Sequence, residues 1–162
     1  LRTITRLEDT LVHLIGTPNP SPAKAAEFQR VDLASVRAAV EAAAAAQVAH
    51  FVYLSVAHPA PVMHAYQGVR IEGERLIRDA GLTATVLRPW YVLGPGHRWP
   101  MLLMPLYAIA RLIPAFRAGS LRLDLVTIEQ MVAALVRAVD EPPPRATIRV
   151  VEVPEIRADS GR

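Results

Sequence analysis

The stretch Phe51-Val52-Tyr53-Leu54-Ser55 constrains the fold of this chain more than any other. It is an apolar run closing on a hydroxyl, and such a run suits a strand buried on both faces, as in a parallel sheet covered by helices. In sheets of that kind ligands collect at the carboxyl ends of the strands, which is where Ser55 falls. Parallel strands need crossovers, and the flanking sequence provides them. His58-Pro59-Ala60-Pro61 is a loop, after which a helix is expected from about Val62 to Ala80. Val69, Gly73, Leu76, Ile77 and Ala80 would form its apolar stripe, and Gly81 would stop it. Thr83 to Arg88 then reads as another strand.

The same alternation extends in both directions. Thr10 to Gly16 reads as the first strand, and Thr17 to Pro22 as a loop ending in an N-cap at Ser21 with Pro22 in the first turn. The alanine-rich segment from Ala23 to Val48 favours helix throughout, with an irregularity expected near Val31-Asp32. Further on, Leu121 to Val126 is a candidate short strand. Thr127-Ile128-Glu129-Gln130 fits a capping box that starts a helix to about Val139. Glu141-Pro142-Pro143-Pro144 breaks that helix, and Thr147 to Val153 reads as the last strand. Residues 1–8 look like the tail of a helix, and Pro154 to Arg162 is expected to be frayed. The β-α-β-α-β order implies right-handed crossovers.

One pair of side chains stands out chemically. Tyr66 and Arg70 are four apart on the expected helix and share a face beside the end of the 51–55 strand. A phenol with a pKa near 10 needs positive charge nearby to be useful near neutrality, and an adjacent cation moves an acid by roughly 1–3 units. An arginine supplies that field but cannot relay protons as a lysine does. The alternative is an ordinary surface pair. Ser55 is either a helper in the same chemistry or a strand-end cap.

Taken in order, Val12 to Thr17, Val31-Asp32, Phe51 to Ser55, Tyr66-x-x-x-Arg70, and Leu87-Arg88-Pro89-Trp90-Tyr91-Val92-Leu93-Gly94-Pro95-Gly96 resemble the short-chain dehydrogenase/reductase superfamily. The closer likeness is to its atypical NAD(P)H-binding branch, which includes NmrA-like proteins and the accessory NADPH-binding subunit of respiratory complex I. Val126 to Ala133 matches a further stretch of that pattern. The resemblance covers most of residues 10–152. It implies an α/β, Rossmann-like parallel sheet with flanking helices over residues 1–153, lacking the first three strands and the glycine-rich loop. None of the eight glycines falls in a G-x-G-x-x-G or G-x-x-G-x-x-G pattern.

The resemblance also implies a cofactor, NAD(P), and a reaction, hydride transfer to or from a carbonyl-type substrate in the complete protein. Tyr66 would give the proton to the carbonyl. Arg70 stands where the active-site lysine belongs, as charge partner and ribose contact. The residue usually nearest the substrate carbonyl falls at Val56, so Ser55 would substitute or the function would be absent. Gly16 and Thr17 would end the strand beneath the nicotinamide-side ribose, with Gly16 either allowing close backbone approach or starting a turn. Asp32 would touch the strand ends or cap the helix irregularity. Pro89, Trp90, Tyr91 and Val92 would pack against the nicotinamide. Without the glycine loop the pyrophosphate loses its helix N-terminus, so these residues alone are expected to bind NAD(P) weakly or not at all. The second reading is a non-catalytic cofactor-sensing or assembly subunit.

Composition narrows the field further. At 162 residues, 52% hydrophobic and 20% charged, the chain suits one well-buried domain and not disorder. Its net charge of +3 is scattered, with no basic cluster interleaved with aromatics, so nucleic acid is not an expected partner. With no cysteine, disulfides, thiolate catalysis and cysteine-based zinc fall away, and a cytoplasmic setting is compatible. The five histidines show no H-E-x-x-H spacing, so no metal is expected. Met101 to Phe116 is strongly apolar but interrupted, and shorter than the about 20 residues a spanning helix needs. It is either part of a substrate cover or, over 101–117, a surface for a membrane or hydrophobic partner. The strand at 10–16 should have a partner on its far side; left open, its edge invites self-association.

Overall fold

The computed structural model describes residues 9–93 and 123–158. Four parallel strands form the central sheet: β1 (Thr10–His13), β2 (His50–Leu54), β3 (Ala84–Arg88) and β6 (Ile148–Glu152), in the spatial order β1-β2-β3-β6. Two short strands, β4 (Tyr91–Leu93) and β5 (Leu125–Thr127), pair in parallel beside it. The run at 51–55 behaves as its composition requires. Phe51 and Tyr53 enter one core with Val36, Val40, Ala43, Ile77 and Val86, while Val52 enters another with Leu87, Val126, Met131, Ala134 and Val151. Both faces of β2 are thus covered, and it pairs with β1 on one side and β3 on the other.

The first core is closed by helices α1 (Ala34–Ala46) and α2 (His64–Asp79), the second by α3 (Ile128–Asp140) and the short α4 (Val153–Ala158). The expected break near Val31-Asp32 is a π-helical segment, Phe28–Leu33, that leads into α1 and buries Phe28 and Asp32. Helix α1 ends on Gln47 in the left-handed conformation, and α2 is followed by Gly81 at φ +65°, a position that favours glycine. The start of α2 is held by Gln67, which accepts from Ala60 N and donates to Ala60 O, each at 3.0 Å. Thr127 and Gln130 make the full capping box at α3.

Several expectations need correction. Residues 153–158, of the segment expected to fray, form α4 with Val153 and Ile156 fully buried; residues 159–162 lie outside the described residues. The strand expected at 121–126 begins instead at Leu125 and joins β4, not the main sheet; residues 121 and 122 lie outside the described residues. The buried face of α2 is less apolar than expected. It carries Val69, Gly73 and Ile77 but also Gln67, Arg70 and Glu74, whereas Ala80 is exposed. The expectations for 1–8, for Gly94 to Gly96 and for the apolar segment 101–117 also lie outside the described residues. Among the described residues no helix is long and apolar enough to cross a membrane, and no group of three metal-ligating side chains gathers.

Candidate functional site

The carboxyl ends of β2 and β3 open onto a cleft of about 510 Å³. Its lining joins Ser55 and Val56 after β2, Tyr66 on α2, and Pro89, Trp90, Tyr91 and Val92 after β3, with Asn19 and Pro20 from the loop after β1. Four segments separated in sequence therefore meet at one rim. Gly16, Thr17 and Arg70 are not among the lining residues.

Tyr66 is half-buried, its ring 5.1 Å from that of Phe28 in an edge-on arrangement. The Arg70 guanidinium lies over the Tyr66 ring, 5.1 Å from the centroid. Burial pushes the Tyr66 phenol up from its usual value of 10, and the Arg70 charge opposes this without reversing it. Tyr66 is thus a neutral phenol that can donate a hydrogen bond and gives up its proton less readily than a free phenol.

Arg70 is not half of a surface pair. It is 3% exposed and held on several sides. Its Nη2 meets Asp32 Oδ1 at 2.6 Å, while Nη1 donates to Leu54 O at 2.9 Å and more weakly to Ile15 O at 3.4 Å. The other Asp32 oxygen accepts from Thr17 N at 3.1 Å and from Thr17 Oγ1 at 2.5 Å. Asp32 thus ties the end of β1 to α2 through Arg70, so its side chain is engaged at the strand end and not in capping the helix irregularity. Gly16 serves the same clasp: a Cβ there would run into the Arg70 guanidinium, so the close approach it permits is by a side chain of this chain.

Ser55 is 3% exposed, and its hydroxyl donates to Glu74 Oε1 at 2.6 Å. Arg88 clamps that carboxylate, Nε to Oε1 at 2.9 Å and Nη2 to Oε2 at 2.5 Å, and reaches Glu152 Oε1 at 2.9 Å. His58 Nε2 stands 3.4 Å from Glu74 Oε1. Burial pushes the Glu74 carboxyl up, but the hydrogen bonds from Arg88 and Ser55 and the Arg88 charge outweigh it, so Glu74 stays below the usual carboxylate range. Sequence reasoning missed Glu74. The available signal was the row Tyr66, Arg70, Glu74 at four-residue spacing, which places three polar side chains on one face of α2. Val56, 4% exposed, offers only methyl groups to the cleft.

No protein-family model matches the chain. It is 30% identical over 132 residues to a ceramide reductase of Caulobacter vibrioides (strain NA1000 / CB15N), an alignment covering 82% of this chain and 40% of the relative. Among solved structures, it superposes with a TM-score of 0.62 and 23% identity on MoeE5 in complex with UDP-glucose and NAD, covering 91% of this chain and 59% of that one. It matches a short-chain dehydrogenase/reductase superfamily protein from Agrobacterium tumefaciens with bound NAD at a TM-score of 0.60 and 19% identity, over 94% of this chain and 65% of the other. The chain thus spans less than two thirds of each of these relatives. Both of these solved structures hold NAD, the second is named as a member of the short-chain dehydrogenase/reductase superfamily, and the chain shares their α/β, Rossmann-like fold with a parallel sheet between helices.

Proposed function

We propose that this chain is the nicotinamide- and substrate-facing part of an NAD(P)-dependent oxidoreductase that transfers hydride to or from a carbonyl-type substrate, with Tyr66 as the proton donor. The observation that carries the reading is the shared cleft: Ser55, Tyr66 and Pro89 to Val92 line one opening at the ends of two parallel strands. The fit to a nicotinamide is physical. Val56, Trp90 and Val92 offer apolar surface for a flat ring, and Tyr66 and Ser55 offer polar atoms at its rim. When bound, NAD(P)H supplies the hydride. Tyr66, kept neutral by burial, holds the proton that a carbonyl oxygen takes up on reduction. Arg70, tied to Asp32, keeps a fixed positive field beside the Tyr66 ring.

The relative named a ceramide reductase directs the first substrate to try, a ceramide-type lipid carbonyl. The apolar composition of residues 101–117 suits such a substrate or a membrane surface. An NmrA-like affinity and a cytoplasmic setting belong to the same reading, supported by the motif order and the absence of cysteine. The test is made in the full-length protein. Tyr66→Phe should lower turnover about 100-fold or more while NAD(P) binding persists; unchanged turnover sinks the catalytic assignment.

A second reading, a non-catalytic cofactor-sensing or assembly module, is favoured by the same geometry. The Ser55 proton is committed to Glu74, Val56 has no hydroxyl, and Tyr66 acidity is lowered. It predicts cofactor binding by the full-length protein with no turnover for Tyr66→Phe to remove.

A further inference from the structure

Glu74 decides what the Ser55 hydroxyl can offer the cleft. A serine hydroxyl has one proton, and here it is donated to Glu74 Oε1 at 2.6 Å. The reverse direction is closed. Arg88 clamps both Glu74 oxygens, at 2.9 and 2.5 Å, so the carboxylate is an acceptor only. Arg88 is steadied in turn by Glu152 at 2.9 Å. Glu74 is 4% exposed, so bulk water has little access to compete for the bond. Ser55 therefore keeps only its lone pairs for a ligand, while Tyr66, on the same cleft, keeps its proton.

We propose that Ser55 is a hydrogen-bond acceptor fixed in that role by Glu74, and that the cleft selects ligands presenting an amide N–H to it. Ser55 then cannot polarise a substrate carbonyl, which leaves that task to Tyr66. Glu74 is a positioning residue, acting through Ser55. The inference rests on the reading of this cleft as the nicotinamide and substrate site. Within that reading the donor has two sources, the nicotinamide carboxamide or an amide N–H of the substrate.

The test is an NMR titration of the full-length protein, following backbone resonances of residues 54–57 and 89–92. One arm compares NAD with its 3-acetylpyridine analogue, in which a methyl replaces the amide NH2. The other compares N-acetylsphingosine in micelles with its N-methyl derivative, which lacks the amide N–H. In one arm the donor-bearing ligand should bind about fivefold tighter, the scale of one hydrogen bond, and the arm that discriminates identifies the source. Ser55→Ala should abolish the preference. Glu74→Gln should weaken the preference, because its amide can donate to Ser55 and release the serine proton. Ligand shifts at the cleft with no preference in either arm overturn the inference and leave the proposed function standing. No shift there with any of the four ligands overturns both.

Discussion

Arg70 is a buried cation answered by a single carboxylate, Asp32, whose side chain is 1% exposed. Removing one member of such a pair leaves an uncompensated buried charge, at a cost of about 3–5 kcal/mol. Asp32→Ala should therefore lower the urea midpoint sharply, and adding Arg70→Met should restore much of the loss, because an apolar side chain of similar length needs no partner. Equal destabilisation in the single and double variants would rule out the clasp. His13 and His50 set a different sensitivity. Burial lowers both from the usual 6.5, helped by the charge of Arg70 at His13 and of Arg149 at His50. Neither His13 ring nitrogen has a hydrogen-bond partner among the described residues. As pH falls through 6.5, the unfolded chain takes up protons that the folded chain refuses. Stability should then be full above that value and fall below it by up to about 1.4 kcal/mol per pH unit for each histidine. Glu74, held below its usual 4.5, adds a second loss at more acid pH, as the folded chain must release the Arg88 pairing. Denaturant midpoints measured from pH 8 to pH 5 check the sign; His13→Phe should flatten part of the slope.

The elements differ in how plainly they are written in the sequence. Helix α3 begins at a threonine whose side chain accepts from Gln130 N at 3.2 Å, while Gln130 returns a bond to Thr127 N at 2.9 Å. That reciprocal pattern is local, so the residues alone announce it. Thr127→Ala should cost about 1 kcal/mol, read as a drop in melting temperature with α3 contacts to β5 weakened first. Gly81, at φ +65°, is local in the same way, and Gly81→Ala should cost about 1–2 kcal/mol. The strand at 51–55 is legible because burial on both faces forbids charge along its whole length. By contrast, β4 has three residues, and its partner β5 lies some thirty residues later in the chain. No periodicity can appear in so short a run, and its existence depends on a distant segment. The site shows the same division. The convergence of Ser55, Tyr66 and Pro89 to Val92 follows from strand order and was readable. The direction in which Arg70 points was not, because Asp32, 38 residues away, decides it. The same holds for Glu74, whose partners Ser55 and Arg88 come from the ends of two strands, with Glu152 from a third holding Arg88.

At the scale of the whole molecule, the sheet ends on β1, which pairs only with β2 among the described residues. On its far side the backbone groups of 10–13 have no ladder partner there, and the apolar side chains of Val12, Leu14 and Ile15 are 41%, 48% and 55% exposed. An open edge with apolar neighbours is a template for another strand, and the charged or proline residues that normally blunt such an edge are absent from Thr10 to Ile15. The clasp of Asp32, Arg70 and Thr17 holds the end of this strand in place, so the edge is presented ready to pair. These residues alone should therefore self-associate, with apparent mass in light scattering rising with concentration. Val12→Lys with Ile15→Lys places two like charges along the edge and should return the chain to a monomer across the same range. Both side chains already reach solvent, so the change asks little of the core, and the near-ultraviolet circular dichroism should be unaltered. A monomer at high concentration before any substitution would show that the edge is already covered, whereas association that persists in the lysine variant would place the contact elsewhere, first on the exposed row Ile128, Val132, Val136 and Val139 of α3.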